Sequence, residues 1–322
     1  MAEPEIVPFE DAHLDDAAAL LAARHAHQRE AEPLLSPRYA EPGAAREELE
    51  RVWRLDAASG AAALRDGRLV AYVVGAPRQH PAWGENVFVE GAGHAGEEAE
   101  DLRDVYAAAA ARWLEDGRSR HSVVTPAHDR AYLEAWWRLG FGQQQAHGIR
   151  EVPEPAEVAL PDGFEIRGPR EEELEQLIDL DLALPEHQAA SPVFGGHGMP
   201  SREESRQEWL DTFAGADETI LIGTRDGQPV ACFAYVDATR SSEHRGIVRP
   251  DHAAHLGFAV TLPAARGNGI GVALMQAGFN WAAEQGYPTM ITDWRVTNLL
   301  ASRFWPRRGF RAAFLRLYRS IP

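Results

Sequence analysis

Residues 61–76 and 221–236 carry one hydrophobic pattern: an apolar run, an Asp-Gly pair (Asp66-Gly67; Asp226-Gly227), and a second apolar run. The pair supplies positive-φ positions for a tight turn between two strands, so each stretch predicts a β-hairpin. Short strands at Glu5-Ile6-Val7 and Phe164–Arg167 precede acidic, apolar-periodic helices over Asp11–Arg29 and Arg170–Leu182. Further on, Trp113–Gly117 matches Trp281–Gly286, and Ala135–Phe141 matches Phe304–Phe310. Gly117 and Gly286, like Phe141 and Phe310, are 169 residues apart. Landmarks repeated in one order mean two copies of an α/β unit in tandem.

Residues 152–163, with three prolines and little helical periodicity, read as the connector. The expected division is therefore a domain over 1–151, a linker over 152–163 and a domain over 164–322. Each half runs short of strands after its Gly-Phe pair. The tail Phe314–Ile321 alternates, with arginines at 316 and 319, so it predicts a paired strand.

Composition then narrows the chemistry. Of 322 residues, 45% are hydrophobic and 25% charged, the balance of a globular protein. Asp+Glu number 49 against 32 Lys+Arg, a net charge of −17 that argues against nucleic acid and anionic lipid as partners. Every cation is arginine, which removes Schiff-base and P-loop lysine chemistry. The single cysteine, Cys232, sits in an apolar strand-like run and reads as a small hydrophobe. Thirteen histidines form no HExxH or other compact ligand cluster, so no metal site is expected. The start of the chain and the lengths of its apolar runs lead to the expectation of no signal peptide and no membrane span, with the cytoplasm as the expected location, as monomer or homodimer.

Chemistry concentrates at 255–282. His255–Val260 read as a strand, Arg266-Gly267-Asn268-Gly269-Ile270-Gly271 as a glycine-rich loop, and the apolar residues from Val272 onward as an amphipathic helix. Strand, glycine loop and helix N-terminus together make a phosphate site, because glycines let backbone amides approach and the helix dipole favours an anion. A P-loop would need a lysine, and the dinucleotide fingerprint would need Gly or Ala at Val272. R-x-x-G-x-G fits, as does a second motif downstream formed by Asn298, Ala301, Trp305, Gly309 and Phe310. Together they resemble the GNAT superfamily of acyl-coenzyme A-dependent N-acyltransferases.

The resemblance implies an α/β (α+β) fold of two tandem GNAT-like domains, each a mixed, mostly antiparallel sheet flanked by helices, the first copy degenerate. It assigns the pantetheine arm to the backbone of Phe258, Ala259 and Val260, the pyrophosphate to Arg266, Gly267, Asn268, Gly269, Ile270 and Gly271, and the thioester end to Asn298. In the first half the corresponding positions, 97–102, hold four carboxylates and no glycine, so that copy is expected to bind no coenzyme A.

Trp305 stands where the family often has a tyrosine acid, and an indole N–H is no useful acid. Tyr318 and Ser302 are the alternative acids, Ser302 on the expectation that Asn298, Ser302 and Trp305 share a helix face. For the base, His255 begins the strand where the family uses a glutamate, and an imidazole accepts protons near neutral pH. The expected activity is transfer of an acetyl group from acetyl-coenzyme A to a small-molecule amine. Two alternatives stand beside it: an acyl-coenzyme A-binding regulatory protein without turnover, and an acetyltransferase similar to mycothiol synthase.

Overall fold

The computed structural model describes residues 3–80, 84–195, 198–215 and 217–322. The chain divides into two compact units, and the boundaries differ from the sequence expectation. One unit comprises 1–147, 244–251 and 312–322; the other comprises 148–243 and 252–311.

The first unit contains β1 (Glu5–Pro8), α1 (Leu14–Ala31), α2 (Pro42–Trp53), β2 (Ser59–Arg65), β3 (Arg68–His80), β4 (Gly84–Val89), β5 (His94–Gly96), α3 (Ala99–Glu115), β6 (Arg120–Pro126) and α4 (Arg130–Arg138). β7 (Gly142–Glu151) begins here and passes to the second unit at Gly148. The strand order is β1-β2-β3-β4-β6, antiparallel except that β4 and β6 run parallel.

The second unit contains β8 (Phe164–Arg167), α5 (Leu174–Ala189), α6 (Arg202–Phe213), β9 (Thr219–Arg225), β10 (Gln228–Asp237), β11 (Ala253–Thr261), α7 (Ile270–Glu284), β12 (Thr289–Arg295) and α8 (Ala301–Arg307). The order β8-β9-β10-β11-β12 again has one parallel pair, β11 with β12. Two mixed, mostly antiparallel sheets flanked by helices are the fold class the sequence predicts. Both hairpins form around the Asp-Gly pairs, with positive φ at Asp66 and Gly67 and at Asp226 and Gly227.

The last strand, β13 (Arg311–Ser320), corrects the domain boundary. It pairs antiparallel with β6 from Phe314↔Pro126 to Ser320↔Arg120, and it buries Phe314, Leu315 and Leu317 in the first unit. Residues 244–251 leave the second unit for a packing reason too. Ile247 and Val248 are buried so close to Gly91 that a Cβ there would meet their side chains at 2.9 and 2.8 Å.

The connector is not a free linker. Asn280 of α7 accepts from the Ala156 amide at 3.0 Å and donates to its carbonyl at 2.7 Å, so the connector lies along the second unit. That unit's core joins Leu177, Ile178 and Leu180 of α5 and Trp209 of α6 to Ile222, Cys232 and Val260 of the sheet. Burial pushes the Cys232 thiol pKa up, so the reactive thiolate is disfavoured. Among the described residues, no helix is long and apolar enough to cross a membrane.

Candidate functional site

Pairing between β11 and β12 stops at Leu256↔Thr292, yet β11 runs on to Thr261 and β12 to Arg295. The free segments line opposite sides of a cavity of about 650 Å³. A bulge helps to open it. The β10–β11 register steps from Ala234↔Phe258 to Tyr235↔Leu256, which leaves Gly257 as an extra residue, and a bulge bends the strand that carries it. Phe258, Ala259 and Val260 line the cavity as expected.

The glycine loop forms the next wall. Gly267 and Gly269 have φ of 80° and 93°, a region that side-chain-bearing residues rarely adopt, which explains glycine at both positions. Gly269 is the N-cap of α7 and offers no side chain to cap it. The first-turn amides of Ile270 and Gly271 have no partner within the helix, and both residues line the cavity. Arg266 lines it as well, its Nε donating to the Thr261 carbonyl at 2.9 Å. Partial burial lowers the Arg266 pKa, which still leaves a guanidinium charged. Asn268 is the exception within the motif: it is absent from the cavity wall and closes the turn, Nδ2 lying 3.5 Å from the Ala265 carbonyl.

Sequence reasoning missed the third wall. Ala183, Leu184, His187 and Gln188 of α5 face the cavity, at spacings of one helical face. His187 Nε2 lies 3.4 Å from Asn298 Oδ1. Asn298 precedes α8, and the same oxygen accepts from the amides of Leu300 at 3.1 Å and Ala301 at 3.2 Å. Across from them, Thr292, Asp293, Trp294 and Arg295 of β12 line the wall. Burial lowers the Arg295 pKa, and the Asp293 carboxylate opposes that shift.

The three candidate acid–base residues fall elsewhere. His255 is buried and absent from the cavity wall, although a ring nitrogen lies within 4.8 Å of an Asp293 ligand oxygen. Burial lowers its pKa to about 4. The bulge at Gly257 also interrupts the alternation of faces between His255 and the cavity-lining residues beyond it. Ser302 is not on the wall either. Asn298 lies ahead of the helix, and its side-chain oxygen is turned to the Leu300 and Ala301 amides and to His187, away from Ser302. Tyr318 lies on β13 in the first unit, opposite Ser122, and is also absent from the wall. Trp305 does line the cavity, with its ring held edge-on to Phe304 at 4.8 Å and to Phe310 at 5.8 Å.

Residues 183–310 match the model of the acetyltransferase (GNAT) family. Among solved structures, the chain resembles a GCN5-related N-acetyltransferase from Sphaerobacter thermophilus, with TM-score 0.60 and 16% identity over 98% of this chain and 95% of that one. It also resembles a tandem GNAT protein from the clavulanic acid biosynthesis pathway, with TM-score 0.51 and 14% identity over 99% and 98% of the two chains. A third likeness is to a glucosamine N-acetyltransferase region of a fungal multi-domain β-N-acetylglucosaminidase, with TM-score 0.56 and 14% identity over 99% of this chain and 38% of that one. At these identities the structural likeness is one of fold. No curated protein matches the chain in sequence. The family match falls on the cavity-bearing part of the chain, and the solved structures add a likeness of fold.

Proposed function

We propose that the second unit is an N-acetyltransferase that moves an acetyl group from acetyl-coenzyme A to the amine of a small molecule by direct attack on the thioester. The observation that carries this reading is the opening of the glycine loop, the α7 first turn and the splayed strands onto one cavity. Ile270 and Gly271 amides with Arg266 hold a pyrophosphate, and Phe258–Val260, paired with β10 on one side and past the last β12 pair on the other, offers backbone groups on that second edge to a pantetheine arm. The donor, when bound, supplies an activated acyl carbon. Asn298 stands at the far end of the motif, where the thioester is expected, and the β12 wall leaves room for an acceptor beside it. Asp293 on that wall favours an acceptor that arrives as an ammonium ion.

The test measures coenzyme A binding by calorimetry and thiol release from acetyl-coenzyme A across a panel of small amines. Binding with amine-dependent release is the expected result. Trp305, packed between aromatic rings in place of an acid, favours a second reading, an acyl-coenzyme A-binding regulator. Tight binding with no release for any amine would establish that second reading instead.

A further inference from the structure

Asn298 Oδ1 carries more information than its place in a motif. Two backbone amides, those of Leu300 and Ala301, donate to it, which fixes the atom as oxygen, since an amide nitrogen accepts nothing. An oxygen of this kind only accepts. The ring nitrogen facing it at 3.4 Å, His187 Nε2, must therefore bear the hydrogen. In a neutral imidazole the other nitrogen, Nδ1, then holds the lone pair. The side chain that carries it lines the cavity, on the same α5 face as Ala183 and Leu184. Hydrogen bonds of catalytic groups often tighten around the substrate, so a contact of 3.4 Å is within reach of a working one.

We infer that His187 is the proton shuttle of this site, with Asn298 as its positioning residue. The inference rests on the acyl-transfer reading above and supplies the group that the tryptophan at 305 does not. The ammonium first loses one proton to solvent; as the bond between the neutral acceptor nitrogen and the carbonyl carbon then forms, Nδ1 takes the second proton that nitrogen sheds. As the carbon–sulfur bond breaks, the imidazolium gives that proton to sulfur. Protons balance within one group, and His187 returns to its starting tautomer because Nε2–H stays on Asn298 throughout. The other ionisable groups on the wall do not replace it. Arg266, Arg307 and Arg308 stay charged, and Asp293 interacts with Arg295 on β12. Glu186, beside His187 on α5, is exposed.

The experiment uses the full chain with labelled histidine, following ring resonances by NMR over pH in the presence of coenzyme A and of desulfo-coenzyme A. His187→Gln assigns the His187 signal among thirteen histidines. The titration midpoint of His187 should differ between the two complexes by at least about half a pH unit, because only one ligand presents a sulfur. Identical midpoints in two saturated complexes would overturn the inference and leave the acyl-transfer reading standing. Failure of both ligands to bind would instead overturn that reading and this inference with it.

In turnover, His187→Gln keeps a donor for Asn298 yet carries no proton. It should lower kcat by about 100-fold and remove the His limb of the pH–rate profile, with coenzyme A affinity within about twofold of the parent. Added imidazole should restore part of the rate to His187→Ala. A His187→Gln variant at full speed would show that water moves the proton.

Discussion

The two units place a helix N-terminus at the same point of the repeat and fill it in opposite ways. In the second unit α7 starts from Gly269, with amides open to a cavity and Arg266 beside them. In the first unit α3 starts from Glu98, and the carboxylates around it are already matched by arginines. Arg68 pairs with Glu97, Arg103 and Arg138 both pair with Glu100, and Arg65 holds Asp101 at 2.8 Å. The strands differ in step. β4 pairs with β6 up to its own last residue, Val89↔Val123, whereas β11 outruns its last pair with β12 by five residues, Gly257 to Thr261. A helix dipole is common to both, but only the unit with glycines, an arginine beside the loop and splayed strands suits the phosphate site proposed above.

The largest test removes what the first unit draws from the far end of the chain. Deleting 312–322 takes away a strand paired along β6 and exposes Phe314, Leu315 and Leu317. At about 1.5–3 kcal/mol for each such side chain, the loss rivals the whole stability of a domain, so the variant should lack a cooperative melt for that unit. A soluble deletion variant with an unchanged melting curve would mean that the strand completes nothing.

Coenzyme A stoichiometry and Gly271 probe the contrast directly. One site per chain is expected, and a second of similar affinity would overturn the account of α3. A Cβ at Gly271 would sit 3.6 Å from Thr261 Oγ1 and 3.8 Å from the Phe304 ring, so a side chain is tolerated by the fold. In Gly271→Glu the new carboxylate would meet the pyrophosphate, lowering coenzyme A affinity by about 100-fold or more, which at 1.4 kcal/mol per decade is about 3 kcal/mol. Unchanged calorimetric affinity would remove the loop from the site.

What was legible in the sequence follows from the range of each interaction. Gly267, Gly269 and the Asp-Gly turns announce themselves because the demand for positive φ is local. The alternation of β13 revealed a paired strand, yet its partner, β6, depends on tertiary packing that no local pattern encodes. His187 was invisible for the same reason: its contact with Asn298 spans 111 residues, and on α5 it looks like any polar helix position. His255 misled because a histidine at a strand start says nothing about which side of the strand water reaches.

Acid titration compares one buried imidazole in each unit. Burial lowers both His25 and His255 to about 4, with a Ser36 carbonyl contact opposing the shift at His25. A base with a depressed pKa leaves stability intact above the unfolded value of about 6.5, and stability falls as pH drops from there toward 4. The slope is up to about 1.4 kcal/mol per pH unit for each group. Urea unfolding from pH 7 to 4.5 should show this loss, and His255→Gln and His25→Gln should each remove one group's share. An unaltered slope in His255→Gln would mean that its ring protonates freely in the folded protein. It would then return as a candidate base.

The smallest effect asks whether the connector belongs to the phosphate site or only leans on it. Asn280 ties Ala156 to α7 through two hydrogen bonds and also accepts from Gln276 Nε2 at 2.9 Å. A few residues on, Pro161 comes within 3.4 Å of where a Cβ at Gly269 would stand. No such strap crosses the start of α3 among the described contacts. Asn280→Ala removes bonds at a partly exposed site, so the cost should be about 1 kcal/mol, seen as a slightly lower melting temperature and faster proteolysis within 152–163. Coenzyme A affinity should stay within about twofold, because the loop's shape comes from its own glycine dihedrals and from Arg266 on Thr261 rather than from the strap. A drop in affinity approaching that of Gly271→Glu would place Pro161 in the wall that shapes the loop, and the difference between the two units would then begin at the connector.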